Sequence, residues 1–249
     1  MPRRVTWVGH ATVLIELAGA RLLTDPVLRR RLLHIKRVVP DVDPADHAAL
    51  DAVLLSHLHY DHLDTPSLRL LDRDTVRLVG PAGASRLVAK EGFALVTELA
   101  VGDATQVGAV RIEAVPAIHD GRRMPFGAKV ETLGFVAEAD GLRIYFAGDT
   151  DLFDGMAEIR DLDLALIPVW GWGPTLGAGH LDPERAAEAL ALLRPRLAVP
   201  IHWGTLFPVG RRDRRRRLTD PPGEFERAAA KLAPGVEIRV LEPGEAIEL

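Results

Sequence analysis

The stretch Ser56-His57-Leu58-His59-Tyr60-Asp61-His62-Leu63-Asp64 limits what this chain can fold into more than any other. It sets three imidazoles and a carboxylate within six residues, directly after the apolar run Ala52-Val53-Leu54-Leu55, which reads as a buried strand. Imidazole together with carboxylate suits a borderline divalent cation such as zinc. Residues two apart in an extended segment share a side, so His57 and His59 face the same way. If the chain turns after them, Asp61 and His62 can serve a second ion nearby. The bland alternative is a solvated His-rich loop. The strand just before it and the lack of flanking low complexity argue against that.

The pattern His57-x-His59-x-Asp61-His62 resembles the signature of the metallo-β-lactamase superfamily. The resemblance implies an α/β fold, a four-layer αββα sandwich, with one or two metal ions at the sheet edges. It does not by itself name a substrate, because one fold hosts many chemistries.

Further ligands must come from distant positions, since His57 and His59 cannot close a site alone. The chain has no cysteine, so only His, Asp or Glu can supply them. The resemblance implies that they stand where later strands end. His119 follows the alternating run Val110–Val115 and the breaker Pro116, Asp149 follows the strand Leu142–Ala147, and His202 follows Leu197–Ile201. His10 and Asp25 also end strands. Each reads equally as a hydrogen-bonded structural residue or as an outer partner of a ligating imidazole. His34 and His47 read as solvated. Arg122 and Arg123 form either a solvated pair or an anion clamp.

The remaining pattern is strand-rich with interspersed helices. Strands are expected around Gly9-His10, at Arg21–Pro26, at 76–79, 94–99 and 104–107, and at 110–116. Asp140-Gly141 between two apolar runs signals a hairpin. Leu162–Val169 reads as a buried strand, and 236–241 as a last one. Helices are expected over 66–72 with Thr65 as cap, 82–90, 151–159, 186–193 opened by Asp182 and Pro183, and 224–232. Residues 28–46 read as an irregular flap. The loop Trp170–His180 is dense in glycine, and its two tryptophans either line a pocket or plug the sheet edge. Arg211–Arg217 is a basic run broken only by Asp213, read as a solvated loop or as an anionic-substrate or membrane-surface patch. The whole chain, 1–249, is expected to be a single domain of two similar halves, joined around 117–131.

Trp7–Thr12, Thr24-Asp25-Pro26, Gly179–Glu184 and His202–Thr205 resemble the branch that contains N-acyl-phosphatidylethanolamine-hydrolysing phospholipase D and its bacterial relatives, beside the ascorbate-6-phosphate lactonase type. Position by position, the resemblance implies one metal on His57, His59 and His119, a second on Asp61, His62 and His202, and Asp149 between the two. A carboxylate suits that place because its two oxygens can each reach one cation and offset their mutual repulsion. The alternative for Asp149 is a cap on the following helix. His180 matches a histidine that faces the substrate.

These readings converge on a binuclear hydrolase with two divalent ions, zinc first and manganese as the alternative. A bridging water brought toward neutrality is the expected nucleophile, oriented by Asp61, with His180 as the acid for the leaving group. A phosphodiester is the leading substrate class and a lactone or other carboxylic ester the second. A protein that only senses or binds a ligand is the third reading. A net charge of −4 argues against a general nucleic-acid partner. The partner is then a small anionic or ester substrate. No apolar run is long enough to span a bilayer, peripheral membrane contact is not expected, and the default location is cytoplasmic.

Overall fold

The computed structural model describes residues 2–123, 129–173, 175–210 and 218–249. The first part of the chain forms β1 (Arg4–Gly9), β2 (Thr12–Leu17), β3 (Ala20–Thr24), β4 (Arg31–Leu32), β5 (Ile35–Arg37), β6 (Ala52–Leu54), β7 (Arg77–Pro81) and β8 (Leu95–Leu99). The second forms β9 (Ala104–Val107), β10 (Val110–Pro116), β11 (Leu133–Ala139), β12 (Leu142–Phe146), β13 (Leu164–Pro168), β14 (Leu197–Ile201), β15 (Leu206–Pro208), β16 (Glu237–Ile238) and β17 (Ala246–Glu248). Two seven-stranded sheets result, ordered β17-β1-β2-β3-β6-β7-β8 and β16-β14-β13-β12-β11-β10-β9.

The sheets stack face to face. Val5, Trp7, Val13, Ile15 and Leu17 of the first meet Ile112, Phe135, Ile144 and Leu166 of the second in one buried cluster. Helices α1 (Thr65–Leu68) and α2 (Ala84–Val88) cover the outer face of the first sheet; α3 (Pro183–Leu193) and α4 (Asp220–Leu232) cover the second. The layers therefore run helix, sheet, sheet, helix, the αββα sandwich of the metallo-β-lactamase fold. The alternation in β2 suggests a half-buried strand, yet Leu14 on its second face is buried too, in one cluster with Leu68, Ala84 and Val88 of the covering helices.

Local chemistry explains most boundaries. Asp140 and Gly141 both adopt positive φ, 51° and 74°, and close the two-residue turn between Ala139 and Leu142. In α3, Asp182 accepts from the Arg185 amide and Pro183 supplies the first turn. Four expectations need correction. The cap of α1 is Asp64, whose carboxylate accepts from the Ser67 amide while Arg29 holds it in two hydrogen bonds; Thr65 is the first helical residue. Residues 151–159 form only a 3-10 turn, Asp154–Glu158, behind Phe153, so Asp149 caps no helix. Helix α4 starts at Asp220, because Pro221 and Pro222 fit the first turn, where no amide donor is needed. The expected last strand shrinks to β16, and the chain returns through β17 to pair with β1.

The flap at 28–46 also contains more order than its sequence suggests. Strands β4 and β5 form a hairpin, and β5 pairs with β15 through Leu206↔Arg37, Phe207↔Lys36 and Pro208↔Ile35. The arginine run 211–217 lies outside the described residues. No helix among the described residues is long and apolar enough to cross a membrane.

Candidate metal centre

Strands β3 and β6 run parallel, as do β12, β13 and β14, and the two sets finish along one crevice between the sheets. Open sheets bind ligands in such crevices, at the carboxyl ends of their strands. His10 lies in the β1–β2 turn and Asp25 just past β3. Residues 57–62 follow β6, His119 follows β10, Asp149 follows β12, and His202 follows β14. His10, Asp25 and His202 all have positive φ, at 55°, 33° and 65°. Such backbone is unfavourable for residues with a Cβ and persists where surrounding contacts enforce it. Gly148 brings its strand so close to Ser56 that a Cβ there would lie 2.6 Å from the serine Cβ, which sets Asp149 into the crevice.

The tautomers of the imidazoles are fixed by their outer partners. His59 Nε2 donates to the Arg122 carbonyl (3.0 Å) and His119 Nδ1 to the Gly179 carbonyl (2.7 Å). A carbonyl can only accept, so the remaining nitrogen of each neutral ring is a lone pair. These two lone pairs, His59 Nδ1 and His119 Nε2, lie 3.0 Å apart. His62 Nδ1 donates to Asp25 Oδ2 (2.7 Å) and His202 Nδ1 to the Trp170 carbonyl (2.8 Å), which leaves their Nε2 atoms facing at 3.2 Å. His57 Nδ1 donates to Ser56 Oγ (2.9 Å), which in turn donates to Asp25 Oδ2 (2.5 Å). The His57 Nε2 atom is buried with no hydrogen-bond partner. The facing lone pairs of His59 and His119 repel unless a cation accepts both. For tetrahedral zinc with Zn–N of about 2.05 Å, neighbouring ligand atoms sit about 3.3 Å apart. The donor set fits such ions.

Among the described residues, ligand atoms lie within 4.8 Å of one another in four groups: His57, His59 and His119; His10, Asp61, His62 and His202; Asp25, His57 and His62; and His119, Asp149 and His180. Asp149 lies among them. Its Oδ2 is 3.1 Å from His62 Nε2 and 3.3 Å from His180 Nε2, and its Oδ1 is 3.2 Å from His202 Nε2. All seven residues expected around metal, and His180, thus meet in one crevice, and the clustered His and Asp side chains there form a binuclear metal-binding site. Asp61 Oδ2 accepts from His10 Nε2 (3.1 Å) and Trp172 Nε1 (3.0 Å).

Burial and charge compete throughout. Burial holds the His57 imidazole well below its usual range, with His62 adding to the effect, and pushes His202 down to about 3 against the pull of Asp149. Burial opposes the charged forms of Asp61 and Asp149 too. The neighbouring imidazoles outweigh it, His62 and His10 for Asp61 and His202 and His62 for Asp149, so both carboxyls stay well below the ordinary value. His62 is the reverse. Burial works against its charge, but Asp149, Asp25 and Asp61 lift it well above an ordinary histidine. His180 is likewise raised to about 8, the hydrogen bond and charge of Asp149 outweighing burial.

Asp25 binds both a ligand of the first group, through Ser56, and one of the second directly. His10 likewise bonds Asp61 directly. Arg122 pairs with Asp120, and Arg123 donates to the Leu58 and Leu63 carbonyls, so neither forms a free clamp. Ser56 escaped sequence reading, because a single serine beside a histidine carries no signal. His34 is solvent-exposed, as expected, but stands edge-on to Trp172 with ring centroids 5.2 Å apart.

Residues 20–203 match the model of the β-lactamase superfamily domain. A UPF0173 metal-dependent hydrolase from Opitutus terrae is 36% identical over 255 residues, covering 99% of this chain and 100% of that one. The N-acyl-phosphatidylethanolamine-hydrolyzing phospholipase D 1 of Caenorhabditis elegans is 31% identical over 231 residues, 82% of this chain and 64% of that one. Among solved structures, the metallo hydrolase Igni18 of Ignicoccus hospitalis superposes with a TM-score of 0.73 at 24% identity, over 99% of this chain and 97% of that one. The chain therefore belongs to the metallo-β-lactamase superfamily and, within it, to the UPF0173 metal-dependent hydrolases.

Proposed function

We propose that this metal-dependent hydrolase is a binuclear phosphodiesterase. The observation that carries the reading is the placement of Asp149 between two ligand clusters: its two oxygens face His62 and His202 of one, and it groups with His119 of the other. The likeness to the nematode phospholipase D supports the phosphodiester as the bond cleaved. In this reading His57, His59 and His119 hold one ion, Asp61, His62 and His202 the other, and Asp149 reaches both. Nitrogen and oxygen donors suit zinc first and manganese second. Ions bound there supply a water acidified toward neutrality and positive charge for the oxygens of the group attacked.

The chain's own residues do the rest. His10 and Trp172 pin Asp61 Oδ2, so the carboxylate is held in one orientation toward the reacting water. His180 places Nδ1–H on the Gly177 carbonyl, which leaves Nε2 toward Asp149. Without ions the hydrogen bond and charge of Asp149 raise the His180 pKa to about 8, and Nε2 is the ring nitrogen placed to deliver a proton to the leaving oxygen. A cytoplasmic location and a small substrate belong to the same proposal.

The second reading, a lactonase or carboxylic esterase, is favoured by one observation: Arg122 and Arg123 are both engaged elsewhere and offer nothing to a phosphate. Zinc- and manganese-loaded protein assayed on bis(p-nitrophenyl) phosphate, p-nitrophenyl butyrate and γ-butyrolactone decides between them. Turnover of the diester at least as fast as the esters supports the first. Ester or lactone turnover alone replaces it with the second.

A further inference from the structure

A cavity of about 310 Å³ opens beside the metal centre. One side is chemical: His59, Asp61, Asp149 and His180. The opposite side is largely apolar. The β4–β5 hairpin contributes Leu32, Leu33 and Ile35, joined by Tyr60 and the Trp172 indole, with His34 the polar member of that wall. Among the described residues no lysine or arginine lines it. The two arginines near the histidine motif are turned to other work, Arg122 on Asp120 and Arg123 on backbone carbonyls, with the Arg123 Cζ 4.0 Å from the centre of the Tyr60 ring.

The wall is firm. Leu32 and Ile35 are buried against Val27 and Leu206, and Trp172 packs on that cluster. Pairing with β15 fixes the hairpin from behind. Leu33, at the tip with φ 49°, is 60% exposed and still lines the cavity. A lone exposed leucine means little, but this one extends an apolar wall that faces two carboxylates.

The geometry points to a substrate whose group beside the scissile bond is uncharged and apolar, held against the hairpin and Trp172. This rests on the hydrolase reading above but is neutral between a phosphodiester and a carboxylic ester. Among the described residues the apolar side of this cavity offers an anionic substituent no lysine or arginine to pair with. An uncharged one buries its carbon against the wall. Size sets the upper bound. An apolar cavity of about 150 Å³ accepts benzene, so one about twice as large accepts the reacting group plus a ring or a chain of about six carbons. Longer tails project into solvent.

Two parallel series test this on zinc-loaded protein: p-nitrophenyl alkanoates and alkyl p-nitrophenyl phosphates of increasing chain length, with the p-nitrophenyl monoester of succinate as the charged analogue. In whichever series turns over, kcat/KM rises about three- to fourfold per methylene up to about six carbons and then levels. Succinate falls below butyrate by about tenfold or more. Leu33→Asp, a residue that tolerates the left-handed backbone, lowers the six-carbon to two-carbon ratio by about fivefold or more. Ligand-observed NMR with hexanamide and acetamide gives a readout free of chemistry: hexanamide binds more tightly than acetamide, and Leu33→Asp weakens it. Turnover with a flat series, or a preference for succinate, overturns the inference and leaves the hydrolase standing. No turnover on either series, with hexanamide still binding through Leu33, removes the hydrolase reading and keeps the pocket. Hexanamide that fails to bind overturns the pocket.

Discussion

His59 Nδ1 and His119 Nε2 lie 3.0 Å apart, and each ring has already given its one proton to a backbone carbonyl. The contact is repulsive between neutral rings and becomes favourable when a cation sits between them. Chelator-treated protein should therefore melt lower than protein with zinc or manganese restored. At a hundredfold excess over Kd the gain is about 2.7 kcal/mol. Calorimetry with metal analysis checks this, and a melting point indifferent to metal would refute the centre.

Protons compete with ions for His62. The surrounding carboxylates raise its pKa well above an ordinary histidine when no cation is bound, so the second proton must leave before Nε2 can coordinate. The sign follows: metal affinity rises with pH and falls as the solution is acidified through the His62 pKa. Titration calorimetry at pH 7 in buffers of different ionisation enthalpy should show net proton release on loading. Proton-neutral binding would contradict it.

Asp25 is the hub behind the ligands. It accepts from the Ser56 amide (2.8 Å), the Ser56 hydroxyl and His62 Nδ1, tying both groups of imidazoles together. Asp25→Asn keeps the shape and loses the charge. Metal affinity should drop about 10- to 100-fold, measured by competition with a chromogenic chelator, while circular dichroism stays native. Unchanged affinity would reduce Asp25 to a residue of the fold.

Trp172→Phe keeps the ring and removes the indole donor to Asp61 Oδ2. A hydrogen bond to a charged group contributes about 1.5–3 kcal/mol, so kcat should fall about tenfold or more with little change in melting temperature. A change confined to KM would show that Trp172 only lines the pocket.

Gly148→Ala probes the close approach before Asp149. A Cβ there lies 2.6 Å from the Ser56 Cβ, at φ 61°. Overpacking and left-handed backbone together should cost about 2–4 kcal/mol in urea unfolding. A native midpoint would mean that Ser56 yields freely.

Much of this was legible because it is local. Alternating runs, the Asp140-Gly141 turn and the Asp182-Pro183 helix start each write their structure into neighbouring residues. The histidines and aspartates at strand exits could be singled out for the same reason, and the sheets bring them together. What escaped depends on distant partners. Nothing near Ile35 announces pairing with Pro208, and nothing near Trp172 announces Asp61, 111 residues earlier. Thr65 and Asp64 are both reasonable caps, and only the reach of the carboxylate to Ser67 decides. Arg122 and Arg123 left a solvated pair and an anion clamp both open, and only Asp120 and two carbonyls decide.

The β4–β5 hairpin belongs to neither large sheet; among the described residues its ladder is shared with β15 alone. Its tip can lengthen, shorten or exchange side chains without breaking one rung of the sandwich that supports the histidines. Selection can thus revise the menu of accepted molecules while the machinery for cutting them stays untouched, and proteins that share this scaffold need not share a diet.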